Sequence, residues 1–168
     1  MKFFLIGLPG SGKTTLGKQL AEKLKLPFID LDSEVEKQEE KPVQKIFAEK
    51  GENYFREVES ALLKKTCDDK TDFIMATGGG APCFFDNMNA MNHAGKTIFL
   101  DVPATTIAER LQATDLMQRP LFARLSSEQL KDKIEFLRSQ RLPFYKQAQL
   151  TFLQAEITAD YIVSNIKA

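Results

Sequence analysis

The chain has 168 residues, 43% hydrophobic and 27% charged, which fits one soluble domain able to bury a core of its own. Lys plus Arg and Asp plus Glu come to 23 each, so the chain lacks the basic excess from which a duplex-binding or membrane-surface protein draws its affinity. Cys67 and Cys83 form no CxxC pair and, with His93 as the one histidine, make a poor zinc site; they read as inert, reduced thiols.

The first run, Phe3-Phe4-Leu5-Ile6, reads as a strand that meets glycine at Gly7. It is too short for the apolar core of a secretory leader, and no later run could span a bilayer, so a cytoplasmic protein is expected. Leu16, Leu20 and Leu24 recur at spacing four, one face of a helix. Phe28-Ile29, ended by Asp30, is a second strand. Helix-prone, charged sequence fills Ser33 to Lys65, with breaks expected at Lys41-Pro42 and Gly51. Phe73 to Ala76 is a third strand, stopped by Gly78-Gly79-Gly80, and Thr97 to Leu100 a fourth, stopped by Asp101-Val102-Pro103. Ile107 and Leu111 mark a helix after it; residues 112–127 have no clear period and read as a loop. Leu130, Ile134 and Leu137 mark another helix, expected to end near Leu142-Pro143. Thr151 to Leu153 is a weak fifth strand, and Thr158 is placed to cap a last helix through Ile166. Short, unalternating strands separated by helices predict a parallel sheet covered on both faces.

Gly7-Leu8-Pro9-Gly10-Ser11-Gly12-Lys13-Thr14 fits G-x-x-x-x-G-K-[ST], between a strand and a helix as a phosphate-binding loop requires. Phosphate oxygens must lie against several backbone N–H groups, and side chains there would hold them off. Lys13 supplies a cation for the outer phosphates and Thr14 a hydroxyl for Mg²⁺. A purely structural glycine turn is the weaker reading, because both flanks agree with the motif. The loop predicts a bound nucleoside triphosphate but not what is done with it.

Four further places narrow the chemistry. Asp30 and Asp32 leave the end of the second strand. One could serve Mg²⁺ through water while the other orients or deprotonates a hydroxyl. Equally, Asp32 or Ser33 could be a helix cap, with Ser33 and Glu36 as a capping box. Asp101, another acid at a strand end, competes for the metal. Arg56 and Glu59 share a helix face at i, i+3, which alone reads as a surface ion pair. Gly78-Gly79-Gly80 ends a strand beside the phosphate loop, suggesting close approach of a small ligand. Arg119 in the irregular loop and Arg141 at a helix end are either solvated charges or parts of the charge field around a transferred phosphoryl group.

Taken together and in order, "GLPGSGKTT", "FIDLDSEVE", "IFAEKGENYFREVES", "ATGGGA", "QRPLF" and "RLPFY" resemble the motif set of shikimate kinases. The likeness runs from Phe3 to about Tyr145; the ordered D-x-D, F-R-x-x-E, G-G-G, R-P-L and R-x-P-x-Y set is far more specific than the phosphate loop alone. It implies one domain, residues 1–168, with a three-layer α/β/α sandwich of P-loop type. The sheet would have five parallel strands in the order 2-3-1-4-5, with a substrate-binding helical insert over about 33–60 and a lid over about 112–127.

The implied reaction transfers the ATP γ-phosphate to the 3-hydroxyl of shikimate, a step of aromatic amino-acid biosynthesis through chorismate. The implied ATP site is Gly10, Ser11, Gly12, Lys13, Thr14 and Thr15, with Arg110 on adenine and Arg119 as the lid arginine. Thr14, and Asp30 through water, would serve Mg²⁺. Asp32 would bind the shikimate hydroxyls and either act as base or only position the hydroxyl, and Arg56 and Arg141 would clamp the carboxylate. Glu59 would orient Arg56, Gly78 to Gly80 would line the acceptor with Gly79 on a hydroxyl, and Asp101 would become a structural strand end. Lys13, Asp32 and Arg119 would carry catalysis. From about Gln147 onward the likeness is loose, which leaves the adenine-side loop near Gln154 to Ile157 open. Shikimate and ATP are the expected partners, with no nucleic acid and no membrane, and a monomer is expected. A kinase of gluconate or of a nucleoside monophosphate is the nearest rival. A GTP-binding switch would need an N-K-x-D stretch, which the sequence lacks.

Overall fold

The computed structural model describes residues 1–114, 119 and 121–166. Part of the expected lid, residues 115–118 and 120, lies outside the described residues. Five strands, β1 (Lys2–Ile6), β2 (Phe28–Asp30), β3 (Phe73–Ala76), β4 (Lys96–Asp101) and β5 (Leu150–Leu153), form one parallel sheet in the expected order β2-β3-β1-β4-β5. β1 is central, and its alternation divides the core. Phe4 and Ile6 face one apolar cluster; Phe3 and Leu5 face another. The first cluster takes in Leu63 of α3 (Val43–Asp68), Met88 and Met91 of α4 (Asn87–Ala94), Ile107 of α5 (Ala104–Gln112) and Leu130 and Ile134 of α6 (Ser127–Tyr145). The second takes in Leu16 and Leu20 of α1 (Lys13–Leu24) and Ile162 and Ile166 of α7 (Ala159–Ile166). Both sheet faces are thus covered, which is why the strands read as unbroken apolar runs.

The insert between β2 and β3 holds α2 (Leu31–Glu39) and the first half of α3 on a small core of Val35, Ile46 and Phe55. The two expected breaks are present: α2 stops at Glu39, and Gly51 (φ 82°, ψ 170°) kinks α3. No described helix is long and apolar enough to cross a membrane.

Three expectations need correction. The cap of α2 is Asp30, whose Oδ1 accepts from Ser33 N at 3.3 Å, not Asp32 or Ser33. The proposed Ser33–Glu36 box does not form, because Glu36 Oε1 accepts from Val43 N at 2.9 Å and ties the 40–42 turn instead. α6 runs through Pro143 to Tyr145. Its last turn is held by Tyr145, which is fully buried, packs on Phe99 at 5.1 Å and donates its hydroxyl to the Gly79 carbonyl at 2.5 Å. α4 was not foreseen. At the other end, Thr158 caps α7 as expected, its hydroxyl accepting from Tyr161 N at 3.3 Å.

Candidate active site

All the motif residues gather at the C-terminal edge of the sheet, where the crevice of an open α/β fold takes its ligands. The phosphate loop leaves β1 with Gly10 at φ 80° and Gly12 at φ 92°, conformations that favour glycine. α1 then starts with no side-chain cap and no acid in its first turn, so its leading N–H groups are left for an anion. Lys13 is not a solvated side chain but 8% exposed, its Nζ donating to the carbonyls of Gly7 at 2.8 Å and Leu8 at 2.9 Å. Burial lowers its pKa to about 8, with Asp32 opposing the shift and Arg141 and Arg119 adding to it. A cavity of about 580 Å³ opens over this loop and is also lined by Arg110, Arg119, Gln154 and Ile157. Arg110 Nη1 donates to the Gly10 carbonyl at 3.2 Å. Thr14 Oγ1 donates to Asp30 Oδ2 at 2.9 Å, so a hydroxyl and a carboxylate lie side by side at the cavity floor.

A second cavity, of about 380 Å³, lies under the insert. It shares Pro9, Asp32, Gly78, Gly79 and Arg119 with the first, so the two are continuous. Arg56 and Glu59 are not a surface pair: they are 4% and 0% exposed, with Arg56 Nη1 donating to Glu59 Oε2 at 2.8 Å. Burial alone would lower the Arg56 pKa, but the Glu59 and Glu52 carboxylates outweigh it and hold the guanidinium above its ordinary value. Burial pushes Glu59 up to about 7 against the pull of Arg56. Arg141 is buried too, and its Nη1 has no hydrogen-bond partner among the described residues. An orphaned buried guanidinium N–H is costly, and a carboxylate ligand would satisfy it. Asp32 stands between the cavities; burial raises its pKa, and Asp30 adds to the effect.

The three glycines of 78–80 each make room for a different part of this site. A Cβ at Gly78 would stand 2.7 Å from Glu59 Oε1 and 2.9 Å from Asp32 Oδ1. One at Gly79 would stand 2.7 Å from Pro9 Cδ and 3.0 Å from Arg141 Nη1, and one at Gly80 2.3 Å from Arg56 Nη2. The triplet is what lets β3 end directly against the charged side chains.

A family model described as shikimate kinase matches residues 9–168. The chain belongs to the shikimate kinase family.

A shikimate kinase of Phocaeicola vulgatus is 46% identical over 156 residues, which cover 93% of this chain and 88% of that protein. The crystal structure of shikimate kinase from Bacteroides thetaiotaomicron superposes with a TM-score of 0.92 at 39% identity, covering 100% of this chain and 99% of that one. The Acinetobacter baumannii shikimate kinase solved in complex with shikimate gives 0.89 at 30% identity, covering 99% and 92%. In this family member every residue of the expected ATP, metal and acceptor sites lines one of the two cavities, whereas Asp101 lines neither. That residue accepts from Arg138 Nη1 at 2.7 Å and serves the sheet edge. Sequence reasoning missed Phe47, Val43 and Phe122, which give the second cavity its apolar wall. It also missed Thr77 and Gln19 in the first. Cys67 and Cys83 are half-buried thiols pushed up to about 11 by burial, in keeping with inertness.

Proposed function

We propose that this protein transfers the γ-phosphate of ATP to the 3-hydroxyl of shikimate, in the pathway to the aromatic amino acids. One observation carries the acceptor assignment. A cavity continuous with the phosphate loop holds two buried arginines, one with an N–H that has no partner among the described residues, beside a carboxylate and an apolar wall. That suits a compact ring bearing a carboxylate and hydroxyls. Arg56 and Arg141 hold the carboxylate, Asp32 accepts a hydrogen bond from the 3-hydroxyl, and Gly79 lets the ring approach. The hydroxyl oxygen bonds to the γ-phosphorus as the bond to the ADP oxygen breaks, and Asp32 takes the released proton. Its raised pKa suits that task. Lys13 and Arg119 neutralise the charge that spreads over the moving phosphoryl oxygens. Arg110, Gln154 and Ile157 frame the base end of the nucleotide.

Thr14 and Asp30 fit Mg²⁺, because two hard oxygen donors 2.9 Å apart border the phosphate cavity. When bound, the ion supplies charge neutralisation at the β- and γ-phosphates. The whole chain forms one domain in this reading, with residues 112–127 as its lid.

The test is ADP release, followed in a coupled assay with ATP and a panel of shikimate, gluconate and nucleoside monophosphates. Turnover with shikimate alone is expected. Faster turnover with gluconate or a nucleoside monophosphate would sink the assignment.

A further inference from the structure

Arg56, Ser60 and Lys64 lie at i, i+4 and i+8 on one face of α3. All three grip the same short segment, residues 84–87. The Phe84 ring centroid is 4.7 Å from Arg56 Cζ. Ser60 Oγ donates to Asn87 Oδ1 at 2.7 Å, and Asn87 Nδ2 donates to the Ala81 carbonyl at 2.9 Å. Lys64 Nζ donates to the Phe85 carbonyl at 2.7 Å. Asn87 is fully buried with both ends of its amide partnered, so the segment is pinned to the helix that carries Arg56 and Glu59.

The backbone between these anchors is strained. Phe85 and Asp86 have φ of 49° and 58°. Aspartate tolerates that region; a bulky aromatic residue rarely enters it. Such strain persists only where the surroundings impose it, and it concentrates at functional sites. The result is that Phe84 turns in against the guanidinium while Phe85 is left 51% exposed. The Arg56 guanidinium therefore has Phe84 against it, Gly80 close by, and the Glu59 and Glu52 carboxylates as hydrogen-bond acceptors. Of its donors, Nε and one N–H of Nη2 are used by Glu52 and one N–H of Nη1 by Glu59, which leaves one N–H on each terminal nitrogen without a partner among the described residues.

We propose that Phe84 is a positioning residue for the phosphoryl acceptor. Its ring packs on the Arg56 guanidinium and holds the plane in which the two remaining N–H groups meet the acceptor's carboxylate. The attraction of a cation for an aromatic ring, strengthened where water is excluded, supplies the hold. This rests on the reading of Arg56 as a carboxylate clamp.

The experiment is steady-state kinetics on the native enzyme and on Phe84→Leu, Phe84→Trp and Arg56→Ala, with shikimate and its methyl ester as acceptors. Phe84→Leu is expected to raise KM for shikimate about 3- to 30-fold, more than it lowers kcat, and to leave KM for ATP alone. Phe84→Trp, which keeps an aromatic face, restores most of the loss. With the methyl ester, which has no carboxylate charge, native and Phe84→Leu enzymes give similar KM. KM does not depend on how much enzyme stays folded, so lost stability does not mimic this pattern. A native KM for shikimate in Phe84→Leu, or an equal rise for both acceptors, overturns the proposal. If Arg56→Ala raises KM for shikimate while Phe84→Leu does not, Phe84 alone is misassigned; if Arg56→Ala leaves it unchanged, the clamp reading itself fails.

Discussion

Glu59 gives one carboxylate oxygen to Arg56, at 2.8 Å, and leaves the other buried with no hydrogen-bond partner among the described residues. That second oxygen, Oε1, faces Gly78 and has Asp32 Oδ1 as its near neighbour across the same glycine. A carboxylate so placed is reluctant to ionise, which is why its pKa is pushed up from 4.5 to about 7 by burial despite the arginine.

The sign of the consequence follows from linkage. Between pH 4.5 and about 7 the folded state holds a proton on Glu59 that the unfolded chain has released. The stability from this group is therefore present in full below pH 4.5 and is lost as pH rises through about 7. Glu59→Gln is neutral throughout and lacks that dependence. The Tm of the native protein minus that of Glu59→Gln should fall across this window and level off above it. Thermal melts in a buffer series check this, and a difference that is flat with pH contradicts it.

Asp32 should matter to turnover far more than to stability. The α2 cap is Asp30, so Asp32→Asn removes no cap bond. Its raised pKa means that the charged form is disfavoured where it stands, so losing the charge should leave Tm unchanged or slightly higher. Activity should nonetheless fall by ~10²-fold or more, a typical contribution of a positioned base. A variant that is both unstable and active would assign Asp32 a structural role.

The three glycines should separate kinetically. Gly80→Ala pushes on Arg56 Nη2 and should raise KM for shikimate without touching KM for ATP. Gly78→Ala pushes on Asp32 and Glu59, so its loss should fall on kcat. Each effect should reach about 10²-fold, since a misplacement of about 1 Å can cost that much. Identical kinetic changes in the two variants would mean that the triplet is only a turn.

Much of this was legible in the sequence because the signals were local. β1 to β4 are short apolar runs that lead into glycine or acid, β5 is a weaker run without such a stop, and all five strands appear where those runs lie. The phosphate loop is continuous in sequence, so its motif can be read without knowledge of the rest of the fold. What stayed hidden depends on tertiary contact. Asn87–Ala94 has two buried methionines at i, i+3, but no capping side chain and little other apolar content, and only packing on α3 and β4 makes it a helix. Pro143 reads as a stop, yet the burial of Tyr145 carries the helix two residues further. The Arg56–Glu59 pair resembles any exposed i, i+3 pair until the glycine loop closes over it. Phe84 gave no signal, because its partner lies on another element and nothing in the spacing joins them.

Lys13 should show its state in the pH profile of the free enzyme. With a pKa near 8, it loses its proton just above the physiological range unless phosphate oxygens hold it. We expect kcat/KM for ATP to decline above about pH 8, while kcat, which reports the bound state, holds to higher pH. Lys13→Ala should cut turnover by ~10³-fold or more. It also removes bonds to the Gly7 and Leu8 carbonyls, so Tm should drop modestly, by the equivalent of about 1–2 kcal/mol. Near-native turnover would remove Lys13 from the mechanism.

Arg119 borders both cavities, so a single side chain can reach the donor phosphate and the acceptor. Its carbonyl accepts from Phe122 N at 2.9 Å and Ala123 N at 3.1 Å, and Phe122 is 1% exposed, so the turn is anchored in the core at its far end. An arginine on such a turn can act most strongly when charge develops on the moving phosphoryl group. Arg119→Ala should therefore lower kcat by ~10³-fold while changing KM for shikimate only a few-fold. If Arg141 binds the acceptor's carboxylate as proposed, Arg141→Ala should show the opposite balance, because its Nη1, without a partner among the described residues, would serve ground-state binding. If residues 112–127 close over the substrates, hydrogen exchange at residues 121–127 should slow when an ATP analogue and shikimate are both present. Closure excludes water, which would otherwise accept the phosphoryl group. Native kinetics in Arg119→Ala, together with exchange unchanged by ligands, would leave the phosphate loop to do the chemistry without a cover.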